Sequence, residues 1–426
     1  MNQNPSTHRS GVVAIAVLVL VFALFMLARG MIETWPVFLT PVQSGLAWSR
    51  AEVASVYSVL MMTFGLGGII TGLAHDRFGP RAIYTVGLLL LGGGYFAASR
   101  LDSVWQFYVA IGICGGLGAA AIGMVPAQAL ISRWFDRNLA AAMAFASTGL
   151  GFGTLCLAPL SQVLIDAFDW RGALEIIGGT IVVLAVAVIL LPWQRISAGP
   201  VRPSGSSDGP SLLEAAKTRA FWALWGAFFA TSVGMYAVSL QSVTYMIENG
   251  MDPLDAATAF GVAGGLSIVG MLVTGIAADR WDRRVIAVLS YGLSMIGLLA
   301  LFLMPQLPVA AAILVFVTCF GLSLGVRSPI IATLSAQLFR GRGMASIYGS
   351  IQTGQGVGAA VGTWIAGVLF DATGSYGAIF ILSFTALFVA IALFWLVQEM
   401  RVAGARNQKN QAANWGSDRG SDPNTG

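Results

Sequence analysis

Residues 72–81 read GLAHDRFGPR, and residues 275–284 read GIAADRWDRR. The second stretch repeats the first 203 positions later, with a leading Gly, a central Asp-Arg and a closing Arg. Beyond these stretches, a shift of 205 maps Gly45 to Gly250, Cys114 to Cys319, Gly116 to Gly321 and Arg137 to Arg342. It also maps Gly149, Gly151 and Gly153 onto Gly354, Gly356 and Gly358, Asp166 onto Asp371, and Gly172 onto Gly377. A chain with 52 Gly supplies one such match by chance, but not nine at one shift. The chain is a duplicated unit.

What is duplicated follows from composition. The 426 residues are 57% hydrophobic and 10% charged, where a soluble chain carries about a quarter charged residues. This excludes soluble enzymes, nucleic-acid binders and secreted disulfide scaffolds. Cys114, Cys156 and Cys319 all lie inside apolar runs, so no disulfide is expected. A bilayer core needs roughly 20 apolar residues per helix. Apolar runs broken by charge, Pro and Gly give twelve helices, near 11–39, 52–74, 81–100, 104–132, 139–165, 171–193, 220–247, 255–278, 284–304, 307–337, 344–370 and 376–399. The runs are too long and continuous for barrel strands. The first is too long for a signal-peptide core. The expected fold is therefore an all-α membrane protein of 12 transmembrane helices in two pseudo-symmetric six-helix bundles.

Basic residues set the expected orientation. With a cytoplasmic N-terminus, 18 of the 23 Lys and Arg fall on the cytoplasmic side and only Arg50, Arg100 and Arg171 fall outside. Both termini are then cytoplasmic. ISAGPVRPSGSSDGPS (196–211) is rich in Pro, Gly and Ser and reads as a flexible linker. The expected divisions are an N-terminal bundle at 11–193, a cytoplasmic linker at 194–219, a C-terminal bundle at 220–399 and a disordered tail at 400–426. Two similar bundles that meet across a midplane cavity can rock and open it to alternate sides.

The segment around Gly72, Asp76, Arg77, Gly79 and Arg81 resembles the signature of the major facilitator superfamily between its second and third spans. The second copy keeps Asp279 and Arg280 but has Asp282 in place of the second Gly. The stretch from Gly112 through Pro126 to Trp134, Phe135, Arg137, Asn138, Leu139 and Ala140 resembles the bacterial monocarboxylate and oxalate porter branch. So does the entry to span seven, from Arg219 to Trp225. The resemblance implies a carrier of organic carboxylates. It also implies that spans one, four, seven and ten line the cavity, and that the signature residues latch the halves as a conformational gate. That branch meets its anion with basic residues in spans eight and eleven. Here span eight has none before Arg280, and span eleven offers Gln352 and Gln355 instead.

Two charges inside the membrane stand out. A buried Arg costs about 2.5–3.5 kcal/mol at a helix centre on insertion scales. Arg29 lies in span one and Arg327 in span ten, and neither has a basic counterpart at the 205 shift. Guanidinium binds carboxylate through paired hydrogen bonds and stays charged. Both are candidate substrate-binding residues that replace the missing cations of spans eight and eleven. Glu33, four residues after Arg29 on the same helix face, leaves a second reading open, a permanent structural ion pair. Glu33 is also the candidate for proton coupling, since a poorly solvated carboxyl takes up a proton more readily.

Tyr57, Gln128, Tyr236, Gln241 and Gln352 are further candidate substrate contacts, with helix-to-helix hydrogen bonding as the commoner use of such residues. Pro126 and Pro329 are expected to bend spans four and ten. The GxxxG spacings at Gly149 and Gly153, and at Gly354 and Gly358, read as surfaces of close helix approach. No phosphate-binding loop, metal-spaced Cys/His cluster or nucleophile elbow occurs, so no cofactor, metal or enzymatic activity is expected. The expected partners are a small organic anion, the lipid bilayer and protons, with no nucleic acid, and the chain is expected to be a monomer. With no glycosylation sequon and short loops, a bacterial inner membrane is the expected location. The competing readings are a facilitator-type exporter of drugs or other neutral or cationic solutes, and a transport-like receptor. Exporters favour embedded acids over Arg, and receptors need a larger cytoplasmic segment than this one.

Overall fold

The computed structural model describes residues 5–135, 139–198, 210–280, 283–326 and 344–396, with 331, 334, 335, 338 and 339 between the last two. Arg327 and Pro329 lie outside the described residues. The described chain is helical throughout, with short connections. Nine of its helices are long and apolar enough to cross a membrane. One of them, Ala141–Ile189, is long enough for two crossings, and Val309–Leu324 and Gly377–Leu393 are shorter apolar helices. Together these match eleven of the expected spans and the first part of the twelfth, span ten. Large side chains such as Leu190, Val183, Leu73 and Ile381 stand on the outer surface, where a hydrocarbon solvent suits them and water would not.

Each connection is set by backbone chemistry. Span one, Pro5–Glu33, breaks at Thr34 and resumes as Trp35–Leu46, with Pro36 in the first turn, where proline is tolerated. Spans two and three form one run, Arg50–Ala98, broken at Gly79 with φ 77° and ψ 170°. That region is essentially restricted to glycine, and Pro80 then restarts the helix. This gives the second Gly of GLAHDRFGPR, Gly79, its physical reason. Spans five and six break at Asp169 with φ 64°. The position 205 residues later is Gly374, which has φ 62° and separates spans eleven and twelve. The two halves thus turn at equivalent positions, one with a glycine and one with a strained aspartate. Span four is interrupted by a π-helical stretch at Tyr108–Gly115 and again at Ile122 and Gly123. Pro126 sits in the first turn of the resumed helix Met124–Ile131, so the chain breaks ahead of the proline.

The remaining spans are Arg219–Glu248, Pro253–Arg280, Arg283–Phe302, Val309–Leu324 for the described part of span ten, Met344–Thr373 and Gly377–Leu396. Two apolar cores result. One is built almost wholly from residues 17–196 and the other from residues 215–390. The glycine pairs act where expected. A methyl on Gly149 would meet the backbone of Phe22 and Met26, and one on Gly153 would meet Gly30, so span five packs closely on span one. Gly354 and Gly358 meet Trp225 and Phe229 in the same way, and span eleven packs on span seven. The middle glycine of each triplet faces the other half: Gly151 meets Gly264 and Ile268 of span eight, and Gly356 meets Gly65 of span two. One repeated sequence feature therefore builds both the packing within each half and the seam between halves. His75, which by position belongs at the membrane edge, is buried.

Candidate functional site

Span one carries Arg29 into the seam. The residue is 5% exposed, and its guanidinium carbon sits 5.2 Å from the centroid of the Phe64 ring of span two. Its Nη2 donates to Glu33 Oε1 at 2.5 Å and to the Tyr236 hydroxyl at 3.2 Å. Tyr236, from span seven of the other half, donates to the same Glu33 oxygen at 3.2 Å. The three groups form a closed triangle across the two halves. The helical spacing of four places Glu33 below Arg29, as the sequence implies. Tyr57 is buried in span two. Tyr95 donates to the Met31 carbonyl at 3.0 Å and fixes span one behind the triangle.

The ion pair exists, yet it leaves the cation partly unspent. Glu33 holds only one terminal nitrogen, and Arg29 Nε is buried without a hydrogen-bond partner. A buried unpaired donor costs about 1–3 kcal/mol. A guanidinium in that condition retains the ability to take a second carboxylate oxygen.

Gln241 joins a different cluster: its Oε1 accepts from Arg50 Nη1 at 3.1 Å. Gln352 is half-buried in span eleven, and Gln128 is exposed on Met124–Ile131. Of the gate motif, Gly72 packs near Val125, Gly79 makes the turn, and Arg77 and Arg81 are exposed. Arg77 lies 5.3 Å from the Phe78 ring centroid. The side chains of Asp76, Asp279 and Arg280 lie outside the described residues, as does Arg327. Among the described residues, no group of His, Cys, Asp and Glu has the arrangement of a metal site.

Arg50, expected only as a loop cation outside the membrane, has a larger part in the structure. Arg50 is 5% exposed at the start of span two, with bonds to Gln241, Glu248 and Tyr376 of the other half. Further inward, Thr40 meets Thr244 and Ser58 meets Thr363, both at 2.7 Å. These side-chain hydrogen bonds between the halves run from the Arg29 triangle to the Arg50 end. The triangle is the innermost of them.

Comparison with known proteins agrees with this architecture. The family model described as Major Facilitator Superfamily matches residues 18–363. Among curated proteins, the chain is 27% identical over 361 residues to monocarboxylate transporter 13 of Bos taurus, covering 84% of this chain and 83% of that protein. It is 27% identical over 409 residues to monocarboxylate transporter 12 of Rattus norvegicus, covering 87% and 83%. Monocarboxylate transporter 11 of Mus musculus is 27% identical over 368 residues, covering 84% and 82%.

Proposed function

The chain belongs to the Major Facilitator Superfamily, whose members are membrane transporters and not enzymes, and from that premise we propose that it carries small organic anions, monocarboxylates foremost, by alternating access. The observation that carries this reading is the Arg29 triangle. A cation held in a seam between two rocking halves, with one donor unpartnered, suits a solute carboxylate. Arg327 is the second cation of the proposed site, and Tyr57, Tyr236, Gln128 and Gln352 are the proposed polar contacts. Glu33 competes with the solute for Arg29, and its protonation releases the guanidinium. That exchange would couple anion movement to protons.

The similarity to monocarboxylate transporters supports the solute class. The division into 11–193 and 220–399 and the cytoplasmic placement of both termini follow the duplication and the basic residues. In that orientation the closed Arg50 end faces outside. The exporter reading rests on an embedded acid free to meet a cationic solute, but Glu33 is already occupied by Arg29. The test is uptake of labelled lactate, pyruvate, oxalate and formate into proteoliposomes, with and without a pH gradient. Saturable uptake of at least one, lost in Arg327→Gln, is expected. No saturable uptake of any would overturn the solute class, and full activity of Arg327→Gln would remove that residue from the site.

A further inference from the structure

The start of span two makes two separate attachments to the opposite half. In the first, the Arg50 side chain donates to Tyr376 Oη at 2.7 Å, Glu248 Oε1 at 2.9 Å and Gln241 Oε1 at 3.1 Å, and its guanidinium carbon sits 4.0 Å from the Phe370 ring centroid. In the second, the backbone does the work. The amides of Arg50 and Ala51 donate to the two carboxylate oxygens of Asp371 at 3.1 and 2.7 Å. A helix leaves its first amides without internal partners. Here Ser49 and Glu52 satisfy their own amides through a capping box, and Asp371 takes the two amides between them from across the seam. Its negative charge also meets the positive end of the span-two dipole. Tyr376 donates on to Glu248 Oε2 at 2.8 Å, which closes the network.

The duplicated position lacks this arrangement. The residue 205 positions after Arg50 is Asp255, and span eight begins with Asp252 accepting from Leu254 N within its own half. Asp166, the counterpart of Asp371, accepts from Gln162 four residues away. The attachment therefore exists on one side of the pseudo-symmetry axis among the described residues.

We propose that Arg50 and Asp371 form a one-sided latch, in which opening this end of the carrier requires a buried guanidinium and a helix N-terminus to lose their partners together. The latch sets the resting balance between the two faces of the carrier, and it does so whatever solute is carried.

The test is a disulfide trap at the seam. In a background without the three native cysteines, Thr40→Cys with Thr244→Cys reports closure, because the native hydroxyls are 2.7 Å apart across the halves. Ser294→Cys with Ser323→Cys, whose hydroxyls are 2.7 Å apart within one half, reports the fold. Arg50→Gln and Asp371→Asn are each added to both pairs, and the rate of oxidative cross-linking is measured in membranes. The expected result is about tenfold slower cross-linking at Thr40–Thr244, the scale of one lost hydrogen bond to a charged group, with Ser294–Ser323 unaltered. An unchanged Thr40–Thr244 rate in either variant overturns the latch. Equal slowing of both links also overturns it, since the residues would then hold the fold rather than the closed end.

Discussion

Glu33→Gln separates a cation kept for a solute from one kept for its neighbour. Removing one partner of a buried ion pair costs about 3–5 kcal/mol. Glutamine preserves the shape and keeps an acceptor for Arg29 Nη2, and a hydrogen bond to a charged group returns about 1.5–3 kcal/mol. With Arg29 at 5% exposure and the Glu33 side chain at 12%, little solvent screening softens the difference. The empty variant should be less stable by roughly 1.5–2 kcal/mol. If a solute carboxylate uses Arg29, it no longer has to compete with Glu33, and most of that loss returns on binding. Each 1.4 kcal/mol is tenfold in affinity, so the apparent Kd for the best monocarboxylate should fall by about 10- to 30-fold. The assay is thermal unfolding in detergent, titrated with pyruvate and lactate. A variant that loses stability but binds no monocarboxylate more tightly would refute the solute role and leave a purely structural pair.

Three further outcomes follow. In the wild type, apparent anion affinity should rise as pH falls, because protonating Glu33 frees Arg29, and this slope should vanish in Glu33→Gln; binding titrations at several pH values check it. Gly153→Val should lose about 1–3 kcal/mol from overpacking, since a methyl there already meets Gly30 of span one, and the loss would be read as a lower unfolding midpoint. Asp169→Gly should instead stabilise by about 1 kcal/mol, because non-glycine residues in that backbone region cost about 1–3 kcal/mol and the lost Asp169 contact to Trp170 N offsets part of the gain; an unchanged or lower midpoint would contradict it.

Much of the fold is legible in the sequence because membranes leave few choices. Apolar length, basic-residue bias and nine matches at one shift lead to two six-helix bundles without side-chain detail. Gly79 was readable as a motif residue, and its positive φ supplies the reason. The triangle was half legible. The spacing of Arg29 and Glu33 predicts their contact, but which residue of the other half meets them depends on the depth at which span seven crosses, and hydropathy does not encode depth to within a helical turn. Gln241 illustrates the difficulty: it lies five residues after Tyr236 on the same helix, and that displacement carries it to the Arg50 end. Arg50 itself was unreadable as more than a loop cation. Its partners Glu248, Asp371 and Tyr376 are about 200 to 325 positions away, and no local pattern joins them. One signal was available, namely a basic residue at position 50 where the duplicated half has Asp255.

The proposed function turns on the Arg29 guanidinium as the receiver of the carboxylate. The most direct measurement is exchange of labelled monocarboxylate in proteoliposomes by the wild type and by Arg29→Gln combined with Glu33→Gln. The double variant leaves no unpaired buried charge, so it should fold with near-native stability. It is expected to exchange no faster than empty liposomes. Exchange by the double variant at the wild-type rate and KM would show that the buried pair only holds span one in place.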